Sequence, residues 1–297
     1  MMMIILNGKK AGLTVVRNAI ADLRQEVEGV QVRVTYEYGD VARFMHEAVK
    51  EGMTRIVIGG GDGSVNEMVD AMAQLPREAR PELAILPLGT ANDFATACQI
   101  PLESLAALRF AASYPLTPVD IVKANERYFI NTATAGFGAK ITAETPVELK
   151  NFLGGGAYTL TGVLKAMDFK PYHSNIRTPE KNLHSLHIIA GAVCNGKQAG
   201  GGQVLAPNAL INDGLLDVIS ISEFQIIDIP QVLDEIKNPS IHGKFIKYIQ
   251  TPWLESESRQ IIPVNLDGEP YSSHKIRFEV LPDAIDLVIP KESPCLK

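Results

Sequence analysis

The stretch Ile56-Val57-Ile58-Gly59-Gly60-Gly61-Asp62-Gly63-Ser64 decides the fold of this 297-residue chain. Three apolar residues predict a strand, and a helix is predicted behind the glycines from the spacing of Val65, Met68, Val69 and Met72. Glycines between a strand and a helix let backbone N–H groups approach a ligand, and the helix N-terminus adds a partial positive charge. Four glycines in five residues exceed the need of a tight turn, so the stretch favours a phosphate-binding loop over a plain strand-to-helix turn.

Strands and helices alternate through the first 120 residues. The predicted strands are Met3–Leu6, Val30–Val34, Ile56–Ile58 and Leu83–Leu86. The helix between the second and third strands is expected to be capped by Asp40 and to bury Val41, Phe44, Met45, Ala48 and Val49. This alternation predicts a parallel sheet with helices on both faces, whose ligands bind at the carboxyl ends of the strands. The residues at those ends are Asn7, Thr35, the glycine loop and the turn Gly89-Thr90.

Short strands dominate after Asp120. They are predicted at Tyr128–Thr134, His184–Cys194, Leu215–Ile221, Ile261–Leu266, Ile276–Leu281 and Ala284–Ile289, with helices at Gly156–Met167 and Glu223–Lys237. We expect an α/β domain over residues 1–124. A mainly β domain, a sandwich or a strongly bent sheet, is expected over residues 125–297, with the last few residues returning to the first domain. A cleft between two domains is the natural place for an active site.

Composition narrows the class of protein. The net charge of −6 argues against general nucleic-acid binding, and no apolar run approaches the roughly 18 residues of a membrane span. Met1 leads into an apolar strand without the basic start of a signal peptide, and the three cysteines form no CxxC pair. We therefore expect a cytoplasmic protein with free thiols.

The glycine loop differs from two common nucleotide sites. The chain contains no GxxxxGK[ST], which excludes a P-loop. A Rossmann dinucleotide site needs a third glycine where Ser64 stands and an acid after the next strand, so NAD binding is the weaker alternative. Asp62 would repel phosphate unless a cation lay between them, which favours Mg²⁺ with ATP over an Asp that makes only an Asx-turn.

Two motifs together carry a family resemblance. Residues Gly60–Glu67 resemble the GGDGT-xNE signature of the diacylglycerol kinase and sphingosine kinase catalytic domain, with Ser64 in place of the usual Thr. Residues Leu86–Ala95 resemble its P-x-GT-x-NDFA signature. The whole chain resembles bacterial YegS-like lipid kinases, including Asn208–Leu215 and Asn265–Pro270.

The resemblance implies a Rossmann-like nucleotide-binding domain of the NAD kinase/diacylglycerol kinase type followed by a β-sandwich. It assigns ATP binding to Thr35, Gly60, Gly61, Asp62, Gly63, Ser64, Val65, Asn66, Glu67 and Thr90. The family's acidic residues around Mg²⁺ and the substrate correspond to Asp62, Asp93 and Asp120. Its proton acceptor corresponds to Glu269, with Asp267 beside it. A second metal site, for Mg²⁺ or Ca²⁺, matches Asp213 and the carbonyls of Leu210 and Leu215.

Several of these segments have plainer interpretations without the family. Asp267-Gly268-Glu269 also fits a solvated hairpin, and Asn212-Asp213-Gly214 fits a hairpin turn. The glycines of 195–202 suggest a loop or lid near the cleft. The apolar stretch Leu153–Leu164 fits core packing better than a lipid path.

The function expected from all of this is a Mg²⁺-requiring kinase that transfers the γ-phosphate of ATP to a lipid hydroxyl. Diacylglycerol, a sphingoid base and a phosphatidylglycerol-like lipid all offer such a hydroxyl, and the enzyme would act transiently at the inner membrane surface. An NAD kinase and a catalytically inactive nucleotide-binding regulator remain alternatives, and a homodimer remains open.

Overall fold

The computed structural model describes residues 1–136 and 170–297, which divide into two compact units. Unit 1 comprises Met1–Ile121, Ile211–Asp213 and Pro282–Lys297, and unit 2 comprises Val122–Leu210 and Gly214–Leu281. The predicted helix Gly156–Met167 and the apolar stretch Leu153–Leu164 lie outside the described residues.

Unit 1 alternates strands and helices as its periodicity predicts. Its elements are β1 (Met2–Asn7), α1 (Gly8–Ala11), α2 (Thr14–Glu26), β2 (Val30–Thr35), α3 (Asp40–Lys50), β3 (Arg55–Gly60), α4 (Asp62–Ala73), β4 (Glu82–Pro87), α5 (Asp93–Ala97) and α6 (Ser104–Ser113).

Four strands of unit 1 form a parallel sheet in the order β2-β1-β3-β4, and Leu287 extends it by pairing in parallel with Leu83 of β4. Residues 3–6 of β1 are at most 2% exposed, as expected of a central strand that is covered on both faces. Asn7 pairs with Thr35, and Gly60 pairs with Pro87, so these strand ends share one edge. The predicted carboxyl-end residues of the sheet are therefore brought together by register.

Asp40 does not cap α3 as predicted. The N-cap is Gly39, at φ +88°, and Asp40 is the first helical residue. Its carboxylate accepts the backbone N–H groups of Tyr36 and Glu37 and pairs with Arg43. These contacts, the Tyr36 N–H first, lower the pKa of Asp40 to about 2. The helix buries Val41, Phe44, Met45 and Ala48, as expected, whereas Val49 is only half-buried.

Unit 2 consists mainly of antiparallel strands, and two strands at its ends continue into unit 1. The elements are β5 (Leu116–Ala124), β6 (Arg127–Phe129), β7 (Thr132–Gly136), β8 (Tyr172–Arg177), β9 (Asn182–Cys194), β10 (Gln198–Ala199), β11 (Gln203–Val204), β12 (Leu216–Ser222), α7 (Ile229–Lys237), β13 (Ile246–Thr251), β14 (Trp253–Leu266) and β15 (Glu269–Val288).

Two long strands close unit 2 around its core. The first half of β9 pairs with β8, and its second half pairs with β7. The first half of β14 likewise pairs with β8, and its end pairs with β7. The four strands therefore form a closed circuit, which fits the strongly bent sheet that the sequence predicts. An apolar cluster of the unit includes Phe129, Val193, Leu254 and Phe278.

Three predicted elements of unit 2 differ in the structure. The strand predicted over Tyr128–Thr134 is interrupted between β6 and β7, because the backbone N–H groups of Ile130 and Asn131 bond to the Asp267 side chain. The two strands predicted over 276–289 are one strand, β15. The helix predicted over Glu223–Lys237 begins only at Ile229, after a short 3₁₀ turn at Ile226–Asp228. Sequence patterning also missed β5, β8 and β13.

Candidate active site

The glycine loop joins β3 to the N-terminus of α4, as predicted. A Cβ on Gly60 would lie 2.2 Å from the Ser64 hydroxyl oxygen, so a larger residue does not fit this turn. Ser64 and Val65 donate their backbone N–H groups to the Gly61 carbonyl at 2.9 and 3.1 Å. The first turn of α4 therefore starts at the loop itself, with the loop backbone close to the helix N-terminus.

A second loop, residues 89–93, packs directly on the first. The Leu88 N–H donates to the Gly60 carbonyl at 2.8 Å. A Cβ on Gly89 would lie only 2.5 Å from the Cα of Gly61, which means that the two backbones are in contact. Both sequence signatures thus form one surface, although they are separated along the chain.

Asn92 closes the second loop, a role that is not predicted from the sequence. Its Oδ1 accepts the Gly89 N–H at 2.8 Å, and its Nδ2 donates to the Gly89 carbonyl at 3.1 Å. The residue adopts a left-handed φ of +52°, which Asn tolerates better than most residues. The spacing Gly-x-x-Asn is a turn signal that could have identified it. Thr90, between them, is exposed.

Asp62 connects the two loops through its side chain. Its carboxylate oxygens accept the N–H groups of Asp93 at 3.2 Å and Phe94 at 3.1 Å, at the start of α5. Burial raises the pKa of Asp62 and the nearby charge of Asp93 adds to the rise, while the two N–H bonds act against them. The hydrogen bonds are to a different helix, so the carboxylate does more than form a local turn.

The other predicted ATP residues lie around this surface. Thr35 is the last residue of β2, where a Cβ on Gly8 would come within 2.2 Å of its carbonyl oxygen. Val65 and Asn66, in the first turns of α4, are 4% and 2% exposed. The Val65 side chain therefore belongs to the core of unit 1.

Two further predicted carboxylates of unit 1, Asp93 and Asp120, are buried. Asp93 is 5% exposed and Asp120 is 1% exposed. Asp120 accepts the Asp283 N–H at 3.0 Å and donates its own N–H to the Ile211 carbonyl at 2.7 Å. Asp120 therefore ties three segments of unit 1 together, in addition to any contact with a ligand.

The predicted proton acceptor lies in unit 2, at the start of β15. Glu269 is exposed, and it pairs with Leu266 across the two-residue turn Asp267-Gly268. The expectation of a hairpin is correct, but the turn is not fully solvated. Asp267 is 8% exposed, and its carboxylate accepts three backbone N–H groups.

The residues predicted for a second metal site do not form a hairpin. The Ile211 N–H donates to the Cys295 carbonyl at 2.8 Å, and the Asn212 side chain accepts the Lys297 N–H. Asp213 belongs to unit 1, whereas Leu210 and Leu215 belong to unit 2. Among residues 1–136 and 170–297, no cluster of three or more His, Cys, Asp and Glu side chains could hold a metal. A site built on one carboxylate and two carbonyls stays a prediction.

The glycines of 195–202 form a short hairpin. Strands β10 and β11 pair across Gly200, Gly201 and Gly202, which all adopt positive φ. The predicted function of this stretch as a lid stays a prediction.

An apolar cavity of about 140 Å³ lies inside unit 2. Small residues of two paired strands, β7 and β9, provide the space, and Ala135 faces Gly191 in register. Larger apolar side chains line the rest, among them Tyr172, Leu186, Ile262 and Phe278. A few polar residues, including Ser222 and Lys247, also border it.

A parallel sheet with a glycine loop at its carboxyl edge, followed by a β unit, is the architecture of the diacylglycerol kinase and NAD kinase fold group. Residues 1–124 match the model of the diacylglycerol kinase catalytic domain. Residues 131–289 match that of the YegS C-terminal NAD kinase beta sandwich-like domain. The predicted fold class is confirmed.

Relatives specify the family further. A protein of Shewanella frigidimarina named "Probable lipid kinase YegS-like" is 53% identical over 99% of this chain and 95% of its own length. A protein of Chromohalobacter salexigens with the same name is 45% identical over 99% of this chain and 94% of its own length. The chain belongs to the YegS-like lipid kinase family, and the predicted enzyme class is confirmed.

Solved structures agree in fold. A diacylglycerol kinase from Bacillus anthracis has a TM-score of 0.74 at 22% identity, covering 98% of this chain and 97% of that one. An NAD kinase from Archaeoglobus fulgidus in complex with ATP has a TM-score of 0.53 at 12% identity, covering 99% and 95%. Within the described residues, no helix is both long and apolar enough to cross a membrane.

Proposed function

We propose that this protein transfers the γ-phosphate of Mg·ATP to the hydroxyl of a lipid that carries at least one acyl or alkyl chain. The observation that carries the lipid assignment is the apolar cavity of unit 2. A hydrocarbon chain gains roughly 0.8 kcal/mol for each CH₂ that it buries, so an apolar cavity favours a lipid over a polar dinucleotide. The substrate also implies that the enzyme works at a membrane surface, on the cytoplasmic side.

The two loops of unit 1 support ATP as the donor. Backbone N–H groups near the start of the 12-residue helix α4 offer hydrogen bonds to phosphate oxygens, and the helix dipole favours negative charge there. Side chains are kept away from this surface by Gly60, Gly61 and Gly89. Phosphates can therefore approach the main chain closely.

The residues present fit a magnesium ion beside the loops. Burial already disfavours the charge of Asp62, and the Asp93 carboxylate is close enough to raise its pKa further. A divalent cation offsets such paired negative charge, and Mg²⁺ prefers carboxylate and phosphate oxygens. Asp62 and Asp93 would hold it, and the bound ion would neutralise charge that develops on the transferred phosphoryl group.

Proton removal is assigned to Glu269. The lipid hydroxyl oxygen forms a bond to the γ-phosphorus while the bond from that phosphorus to the β–γ bridging oxygen breaks, which leaves ADP. A carboxylate placed on the hydroxyl accepts its proton as the new bond forms. Glu269 is exposed and therefore free to meet a substrate.

A phosphorylation assay tests this function. Purified protein, Mg²⁺ and labelled ATP are incubated with total bacterial lipid, and the labelled product is identified by mass. A phosphorylated lipid is expected, with no product when Mg²⁺ is chelated. The same incubation with NAD tests the NAD kinase alternative, and formation of NADP without lipid product would refute the proposal. ATP binding without transfer would instead favour the inactive regulator.

A cavity-filling variant tests the lipid assignment separately. Ala135→Leu places a larger side chain in the cavity, and displacing two methylenes of a bound chain costs about 1.6 kcal/mol, or roughly tenfold in the KM for lipid. The KM for ATP should not change. Ala21→Leu is the matched control, because Ala21 is exposed on α2 in unit 1. An unchanged KM for lipid in Ala135→Leu would remove the cavity from the acceptor site.

A further inference from the structure

The tip of the β14–β15 hairpin contains a buried carboxylate. Asp267 and Gly268 form its two-residue turn, with φ of +47° and +101°. Positive φ at both positions matches the twist of the flanking strands, and glycine suits it best. Asp267 is one of six described non-glycine residues with positive φ and is only 8% exposed, which indicates that its side chain has a specific partner.

That partner is the backbone between β6 and β7. Oδ2 of Asp267 accepts the N–H groups of Ile130 at 2.9 Å and Asn131 at 3.1 Å, and Oδ1 accepts that of Thr132 at 2.6 Å. The Asp267 N–H donates in turn to the Thr132 carbonyl at 3.0 Å. Four hydrogen bonds therefore fix the turn on this segment.

The opposite side of the segment is also held. Asn195 donates its N–H to the Asn131 carbonyl at 2.9 Å and its Nδ2 to the Ile130 carbonyl at 2.7 Å. A Cβ on Gly196 would lie 2.1 Å from the Asn131 Oδ1, so the chain just after β9 approaches as closely as glycine allows. The hairpin tip therefore rests on a segment that cannot shift easily.

We propose that Asp267 is a positioning residue, whose carboxylate fixes the start of β15 so that Glu269 meets the lipid hydroxyl. The inference rests on the proposed function. Three backbone N–H groups already occupy the carboxylate oxygens of Asp267, whereas Glu269, two residues further on, is exposed. Gly268 adds to the rigidity by donating its N–H to the Asn265 side chain at 2.7 Å.

Cys194, a second titratable group near Asp267, is buried. Burial is the main cause of the raised pKa of the Cys194 thiol, with smaller contributions from the charges of Asp217 and Asp267. The Cys194 thiol therefore stays neutral over the pH range of an enzyme assay. A pH profile therefore separates Asp267 from Glu269 without interference from this cysteine.

The test compares Asp267→Asn with Glu269→Gln in the lipid kinase assay. An Asn cannot accept three N–H groups and turns its own NH₂ toward one of them. Misplacement of a reacting group by about 1 Å can cost roughly 10²-fold, so kcat of Asp267→Asn should fall by about that factor with the KM for ATP unchanged. At saturating Mg²⁺, where protonation of Asp62 does not limit activity, the acid limb of the pH profile of kcat/KM should remain in Asp267→Asn and disappear in Glu269→Gln. The proposal would be overturned if the acid limb disappeared in Asp267→Asn and remained in Glu269→Gln. A kcat of Asp267→Asn within twofold of wild type would also overturn it.

Hydrogen exchange provides a readout that does not depend on catalysis. The amides of Ile130, Asn131 and Thr132 should exchange faster in Asp267→Asn and at the wild-type rate in Glu269→Gln. Unchanged exchange in Asp267→Asn would refute the anchoring. If wild-type protein phosphorylates no lipid, the proposed function fails, and exchange alone decides whether Asp267 anchors the segment. Asn265→Ala is the second variant should Asp267→Asn not fold, and it should lower kcat by a smaller factor while keeping the acid limb.

Discussion

Replacing Gly89 by Ala should separate the two loops that form the proposed ATP site. The added Cβ would lie 2.5 Å from the Gly61 Cα and 2.7 Å from the Asn92 Oδ1. Carbon atoms in contact are normally about 3.5 Å apart, so the loops must move by roughly 1 Å. Gly61→Ala is milder, because its Cβ would lie 3.1 Å from the Gly89 Cα.

The size of the effect follows from that displacement. Overpacking of this kind typically costs about 1–3 kcal/mol of the free energy of unfolding. A shift of about 1 Å in a binding surface can cost roughly 10²-fold in activity. We therefore expect Gly89→Ala to raise the Kd for ATP about 10- to 100-fold, with Gly61→Ala between it and wild type.

Calorimetric titration with ATP and urea unfolding measure the two effects. The matched control is Gly12→Ala, since Gly12 has φ −77° and nothing lies within 4 Å of the added Cβ. That variant should be neutral or more stable by about 0.4–1 kcal/mol, because Ala restricts the unfolded chain. If Gly89→Ala binds ATP as tightly as Gly12→Ala, the close contact of the loops does not shape the site.

Further predictions concern charge. Glu269→Ala should lower lipid phosphorylation by roughly 10²–10⁴-fold, and near-normal turnover would remove it from proton transfer. Because the pKa of Asp62 is raised, the carboxyl takes up its proton at a higher pH than an ordinary Asp. The Mg²⁺ concentration for half-maximal activity should therefore rise on acidification, and Asp62→Asn should need more Mg²⁺ at all pH values and lose this pH dependence. Asp40, with its pKa lowered to about 2, stabilises the fold above the usual carboxyl range of about 3.9, and this contribution is lost as the pH falls to about 2. The difference in unfolding midpoint between wild type and Asp40→Asn should accordingly be present at pH 7 and vanish near pH 2.

Local patterns predicted unit 1 well. Apolar runs that predict strands and helical spacings that predict helices each extend over only about ten neighbouring residues. Strands β1 to β4 could therefore be placed to within a few residues. The two glycine signatures were visible for the same reason, because a loop that excludes side chains needs glycine at fixed positions. Family membership and enzyme class then followed from both signatures together and are confirmed.

The contacts of the predicted site residues were harder to predict where the hydrogen-bond partners are distant in the chain. Asp62 bonds to amides 31 and 32 residues away, and Asp267 bonds to amides 135 to 137 residues away. The predicted strand over 128–134 was wrong for this reason, since its apolar pattern contains no sign of a carboxylate that binds its backbone. The roles assigned to these residues in binding and catalysis stay predictions.

The sequence by itself determined a glycine-loop α/β unit, a mainly β unit and a lipid kinase family. Only the tertiary structure decided that the loops touch at Gly61 and Gly89, that Asp62 joins them, and that small residues such as Ala135 and Gly191 leave a cavity. Secondary structure depends on periodicity among neighbours, whereas contacts and cavities depend on which distant side chains meet. The glycine loop is a property of the sequence, and the surface that it forms is a property of the fold.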